Sequence, residues 1–269
     1  MTLGVAIATT WCGVSLLGAQ TTGERKDSQV WGLQGLRAGY CVRFLLEPRL
    51  ASRQLRDGFR LLRADQDSTI HPAIRRMIQT QPEFASWAPS SVCFYFTDAV
   101  QVGRRRVVEK DARRYQMIAA WILGTQEPKT GSRRDIVVDM YASRSTLRRA
   151  AEAARVRLED AHSVVADRAD TTFDIYNVKL ERTVLAWHGR PTGDSTRVER
   201  PIQESWSVPG LRAGAWTARL AMSPMWSRPL VGSLTVQGKG DLAKALKASP
   251  IRFVGPLYRG GGGELRLSR

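Results

Sequence analysis

Histidine and cysteine are scarce in this chain of 269 residues, at three each, and acidic residues number 25 against 41 lysines and arginines, a formal net charge of +16. The histidines His71, His162 and His188 stand far apart, and none has the H-x-x-x-H or Cys/His spacing that would hold zinc. No G-x-S-x-G elbow surrounds a serine; Gly193-Asp194-Ser195 sits in a turn-like stretch. Gly260–Gly263 is followed by Glu264-Leu265-Arg266-Leu267, a strand pattern, where a phosphate loop would continue G-K-[ST]. Neither a cofactor nor a metal is expected from these motifs. Lysine is rare too: seven of the basic residues are lysines (26, 110, 129, 179, 239, 244 and 247) and 34 are arginines. Such an excess suits bidentate pairing with acidic partners, and a GC-rich genome gives the same bias. After residue 23 no long apolar run occurs, which excludes a multi-span helical membrane protein. With 43 % hydrophobic residues the chain has enough apolar surface for a core and reads as one large or two small domains.

Residues 1–23 carry no charged side chain, and the stretch 3–17, LGVAIATTWCGVSLL, precedes Gly18-Ala19-Gln20. Segment 1–22 therefore reads as a secretory signal, with an uncleaved anchor and a buried first strand as the other readings. A signal places the body in the periplasm, or outside the cytoplasm and membrane-associated; an anchor flanked by Arg25 and Lys26 places it on the cytoplasmic face. After cleavage Cys41 and Cys93 remain, an even pair able to form one disulfide or to stay as two buried thiols, each inside an apolar run (YCVRFLL, VCFYF).

The body reads as mainly β with some helix, an α+β chain of antiparallel, sandwich-like sheets in two modules, 23–130 and 171–269, joined by a strand-helix connector over 131–170. Expected strands include 39–46, 91–96, 115–123, 135–141, 173–187, 196–206, 215–222 and 228–236. Asp57-Gly58 reads as a hairpin turn, with a helical alternative. Asp67-Ser68-Thr69 caps a short helix with His71-Pro72 in its first turn, and 241–248 adds another helical turn. The clearest amphipathic helix spans 145–161, with Leu147, Ala151, Ala154, Leu158 and Ala161 on one stripe.

Trp31 to Gly39 and Trp206 to Gly214 share the pattern W-x-x-x-G-L-R-A-G. The second copy, running on as VPGLRAGAWTARLAM, resembles the approach to a late strand in bacterial immunoglobulin-like and fibronectin-type β-sandwich modules, over about residues 196–236. That resemblance implies Leu211 in a core, Gly214 in a tight backbone and Trp216 in the place of the corner tyrosine, and it implies nothing about activity.

Charge is densest from Arg104 to Arg114, where Arg104, Arg105, Arg106, Lys110, Arg113 and Arg114 form a candidate interaction surface, or else a charged edge strand that discourages aggregation. Together these features lead to the expectation of a non-enzymatic structural subunit of a bacterial envelope or membrane-associated complex, for example an extrinsic subunit of an energy-transducing complex such as a photosynthetic reaction centre. It would dock on an acidic protein surface or an anionic membrane. Binding of nucleic acid or another anionic polymer is the first alternative. The second is an enzyme with a dispersed site, assembled around His71 or His188 with Asp135 and Asp139.

Overall fold

A computed structural model describes residues 31–55, 58–102, 105–108, 116–142, 159–168, 172–180, 182–199, 202–208, 216–222, 225–259 and 263–268. Its first half comprises β1 (Trp31–Leu46), α1 (Pro48–Gln54), β2 (Arg60–Leu61), α2 (Pro72–Thr80), β3 (Ala88–Val102), β4 (Arg105–Val108), β5 (Gln116–Leu123), β6 (Thr125–Gln126) and β7 (Ile136–Ala142). Then come β8 (Glu159–Arg168), β9 (Thr172–Leu180), β10 (Thr183–Pro191), β11 (Thr196–Val198), β12 (Ile202–Val208), β13 (Trp216–Met222) and β14 (Met225–Arg228). The chain finishes with β15 (Leu230–Gly238), α3 (Asp241–Ala248), β16 (Arg252–Val254), β17 (Leu257–Arg259) and β18 (Gly263–Ser268).

Sixteen strands join in one branched sheet, and seven of them close on themselves. β1 pairs with β3, β3 with β5, β5 with β7, β7 with β12, β12 with β13, β13 with β18, and β18 again with β1. This ring is a barrel, closed at the β1–β18 seam by strands from opposite ends of the sequence. Most pairings are antiparallel; β7–β12 and β7–β8 are parallel. The protein is thus mainly β with few helices. A mixed, barrel-closing sheet replaces the expected antiparallel sandwich of two modules, because β1 hydrogen-bonds directly to β16, β17 and β18 from the C-terminal range.

Alternation along the strands fills the barrel on one side and covers it on the other. Leu36, Tyr95, Ile118, Ala120, Val137, Trp206, Ala218, Leu220, Leu265 and Leu267 form the inner core, drawn from all seven strands. The opposite face of β1, β3, β5 and β7 carries Tyr40, Phe44, Phe94, Trp121 and Tyr141, and packs against Leu185 and Trp187 of β10 and Leu242 and Leu246 of α3. Tyr40 stacks on Phe94 with ring centres 4.8 Å apart. Trp121 is satisfied where it is buried: its Nε1–H donates to Ser90 Oγ at 3.0 Å, and that hydroxyl donates to the Ile122 carbonyl at 2.8 Å.

Several local expectations change. The stretch 100–108, expected to pair with the strand 115–123, instead supplies the end of β3 and β4, which pair with each other with Val102 opposite Arg105; β4 and β5 lie along the same edge of β3, across from β1. The stretch 173–187 is two strands, β9 and β10, and 196–206 divides into β11 and β12. The first W-x-x-x-G-L-R-A-G copy is continuous strand within β1, where Gly39 lets Tyr95 close in: a Cβ there would lie 3.3 Å from the Tyr95 ring. Of the second copy, residues 206–208 belong to β12 and 209–214 lie outside the described residues, so Leu211 and Gly214 do too. Of the helix expected over 145–161, residues 159–161 are strand, the start of β8, and 145–158 lie outside the described residues. Segment 1–22 also lies outside them. Among the described residues no helix is long and apolar enough to cross a membrane.

Candidate functional site

A cleft of about 630 Å³ opens at one end of the barrel, where β1 and β3 meet the α2 N-terminus and the loop between β6 and β7. Barrel mouths of this kind are common ligand sites, because side chains of many strands converge there around an apolar floor. The floor is Ile122 and Trp206, and the walls carry Arg43, His71, Glu127, Arg133, Arg134 and Asp135.

The β1–β3 register sets one wall. Cys41 lies opposite Cys93 and Arg43 opposite Ser91, so all four side chains share the face turned to the cleft. Cys41 and Cys93 are joined by a disulfide. Arg43 is half-buried, and among the described residues no carboxylate or carbonyl pairs with its guanidinium.

His71 stands at the N-cap of α2, ahead of Pro72 at the first helical position. Its Nδ1 accepts the Ala73 N–H at 3.2 Å, which leaves Nε2 to carry the proton of the neutral ring. The imidazole packs on Phe253, with ring centres 4.3 Å apart. Burial, then the positive charges of Arg43 and Arg76, hold its pKa below the ordinary histidine value, so the ring is neutral at pH 7. The cap is thus a histidine, not the expected Asp67-Ser68-Thr69.

Asp67 serves elsewhere. Its side chain, 2 % exposed, accepts the Thr69 N–H at 2.9 Å, the Thr69 hydroxyl at 2.7 Å and Arg133 Nη1 at 2.6 Å. Arg133 also clasps Asp135 through Nε at 2.9 Å and Nη2 at 3.0 Å. Burial works against the Arg133 charge, but the bonds to Asp135 and the two nearby carboxylates outweigh it and raise its pKa. This clasp pins the β6–β7 loop to the segment before α2. Arg134 approaches Glu127 at 3.6 Å, a looser pair.

Of the residues considered for a dispersed enzyme site, His71 and Asp135 line this one cleft. Asp139 does not join them: the register slips between Trp121 and Ile122, where Asp139 and then Val137 are the partners, and the bulge moves Asp139 to the outer face beside Tyr141, whose hydroxyl lies 3.4 Å from it. His188 is in β10, in the outer layer. Of the arginine-rich candidate surface, Arg105 and Arg106 are in β4, and Arg104, Lys110, Arg113 and Arg114 lie outside the described residues. Arg43 was not singled out from sequence; its one signal was a charge in the middle of the apolar run YCVRFLL.

No protein-family model and no curated protein matches the sequence. Solved structures do. Acetoacetate decarboxylase from Legionella pneumophila is 11 % identical, with 89 % of this chain aligned to 85 % of that one at a TM-score of 0.50. The enduracididine biosynthesis enzyme MppR complexed with pyruvate is 11 % identical over 88 % and 87 % of the two chains (TM-score 0.46), and an acetoacetate decarboxylase-like enzyme from Sphingomonas wittichii is 10 % identical over 95 % and 97 % (TM-score 0.45). The likeness to the Legionella protein replaces the immunoglobulin-like and fibronectin-type resemblance, and it overturns the expectation of a non-enzymatic structural subunit, since the chain of like fold is an enzyme. What this chain shares with acetoacetate decarboxylase is its fold.

Proposed function

We propose that this protein is an enzyme acting on a small oxo carboxylate bound at the barrel mouth. The observation that carries the reading is Arg43, whose guanidinium has no partner among the described residues, in the same cleft as a neutral histidine whose Nε2–H meets no acceptor among them. The fold likeness to acetoacetate decarboxylase supports the substrate class.

Arg43 holds the carboxylate as a charge-assisted pair. His71 Nε2–H donates to the oxo oxygen and stabilises the negative charge that grows there, as a neutral imidazole at a helix N-terminus does. Glu127 is held less tightly than Asp135: it accepts one hydrogen bond, from the Thr130 hydroxyl at 3.0 Å, and has a loose ion pair with Arg134 at 3.6 Å, while both oxygens of Asp135 are held by Arg133. Glu127 takes the proton from the carbon beside the oxo group. The step is an enolisation. Decarboxylation fits less well, because loss of CO₂ discharges the carboxylate that Arg43 holds, and the pairing then stabilises the bound substrate more than the transition state. Imine chemistry needs an amine next to the substrate. Lys129, Lys239, Lys244 and Lys247 are exposed, and no lysine is among the described residues that line the cleft.

Titration of the protein with acetoacetate, followed by calorimetry, tests the binding half of this reading. Arg43→Gln should weaken binding about 10- to 100-fold, the worth of one hydrogen bond to a charged group. Equal affinity in the two proteins would overturn it.

A further inference from the structure

The Cys41–Cys93 disulfide lies in the cleft, on the same face as Arg43, and the reading above gives it no task. Its two sulfurs are not equivalent. Cys41 is half-buried, whereas Cys93 is 3 % exposed and lies 3.6 Å, Sγ to Oγ, from Ser91. Arg43 follows Cys41 by two residues on the strand, about 7 Å along one face. The turn after β16 keeps them together: the Gly255 N–H donates to the Cys41 carbonyl at 2.7 Å, and a Cβ on Gly255 would lie 3.4 Å from that oxygen and 3.9 Å from Arg43 Nε. A cationic, solvent-reachable neighbour is what lowers a thiol's pKa and makes it reactive.

We propose that Cys41–Cys93 is a thiol–disulfide exchange site for a dithiol, with Cys41 the exchanging sulfur and Arg43 its activator. The thiolate of the incoming dithiol attacks Cys41 Sγ. The bonding pair of the protein disulfide leaves with Cys93 Sγ, which is protonated, the Ser91 hydroxyl donating to it as its charge develops. The second thiol of the reagent then loses its proton and attacks its own partner sulfur, releasing Cys41 as a thiolate paired with Arg43. The protein disulfide has gained two electrons, and the dithiol has become a disulfide. Attack is directed to Cys41 because Cys93 is screened from solvent.

The test uses the full chain and needs no substrate of the proposed enzyme, so its result is independent of the oxo-carboxylate reading. The protein as isolated is treated with dithiothreitol without denaturant, then with iodoacetamide, a neutral reagent, at pH 7; peptide mass spectrometry follows the two cysteines separately while tryptophan fluorescence reports the fold. The disulfide should open with the fluorescence unchanged, and Cys41 should alkylate at least tenfold faster than Cys93. Arg43→Gln should slow Cys41 alkylation about tenfold, as expected if the neighbouring charge lowers the thiol pKa by about one unit, and Arg43→Lys should restore most of the rate. Absence of the disulfide from the isolated protein, its reduction only on unfolding, faster alkylation of Cys93, or a Cys41 rate indifferent to Arg43→Gln would each overturn the proposal.

Discussion

Replacing Asp67 by alanine should loosen the wall of the cleft. The carboxylate accepts three hydrogen bonds, two from Thr69 and one from Arg133, and is 2 % exposed. A bond to a buried charged group contributes about 1.5–3 kcal/mol net. Three such bonds do not simply add, because Thr69 is exposed and recovers water, and Arg133, whose side chain is 37 % exposed, keeps its two bonds to Asp135. The expected loss is therefore about 2–3 kcal/mol. The converse change, Arg133→Leu, strands the Asp67 carboxylate with only Thr69 and should cost at least as much, about 3 kcal/mol. The double variant should lose less than the sum of the two, since both changes break the same pair. Urea unfolding followed by tryptophan fluorescence measures all three. A loss below about 0.5 kcal/mol for Asp67→Ala, or full additivity in the double variant, would refute the clasp as a structural element.

Two further outcomes follow from particular residues. His71 has a folded pKa below its unfolded value, so the unfolded chain binds the extra proton first; its contribution to stability is complete above about pH 6.5 and is lost as pH falls from there through the folded pKa. That part of the acid loss should vanish in His71→Asn, which can still cap α2, and an unchanged pH profile in the variant would contradict it. Gly238, at φ 111° in the β15 ending, would place a Cβ 2.0 Å from the Arg182 carbonyl. Gly238→Ala should cost about 2 kcal/mol or more of thermal stability, and a shift within error would show that the turn gives way freely.

Much of the local structure was legible. The run from Gly39 to Leu46 is β-branched, aromatic and apolar, and is the middle of β1; Ile74, Met77 and Ile78 at helical spacing are on α2. The barrel was not legible, because its seam joins residues 31–34 to 264–267 and nothing in local periodicity reports a pairing over such a distance. The same is true of the cleft. His71 and Asp135 stood out as rare or paired titratable residues, but their meeting depends on how α2 and β7 approach the barrel mouth. Arg43 was one arginine among 34 until the β1–β3 register turned it toward His71. The bulge that separates Asp135 from Asp139 has no signal in DIVVDM, where simple alternation places the two acids on one face.

The most direct test of enolisation at the barrel mouth is proton exchange, followed by ¹H NMR in D₂O, at the carbon beside the oxo group across a panel of short 2-oxo and 3-oxo carboxylates. The intact protein should accelerate exchange of at least one of them above the buffer rate, and His71→Asn should lose at least about 100-fold of that acceleration while still binding the same acid through Arg43. Exchange at the buffer rate with a bound oxo acid, or an acceleration that survives His71→Asn, would contradict the assignment.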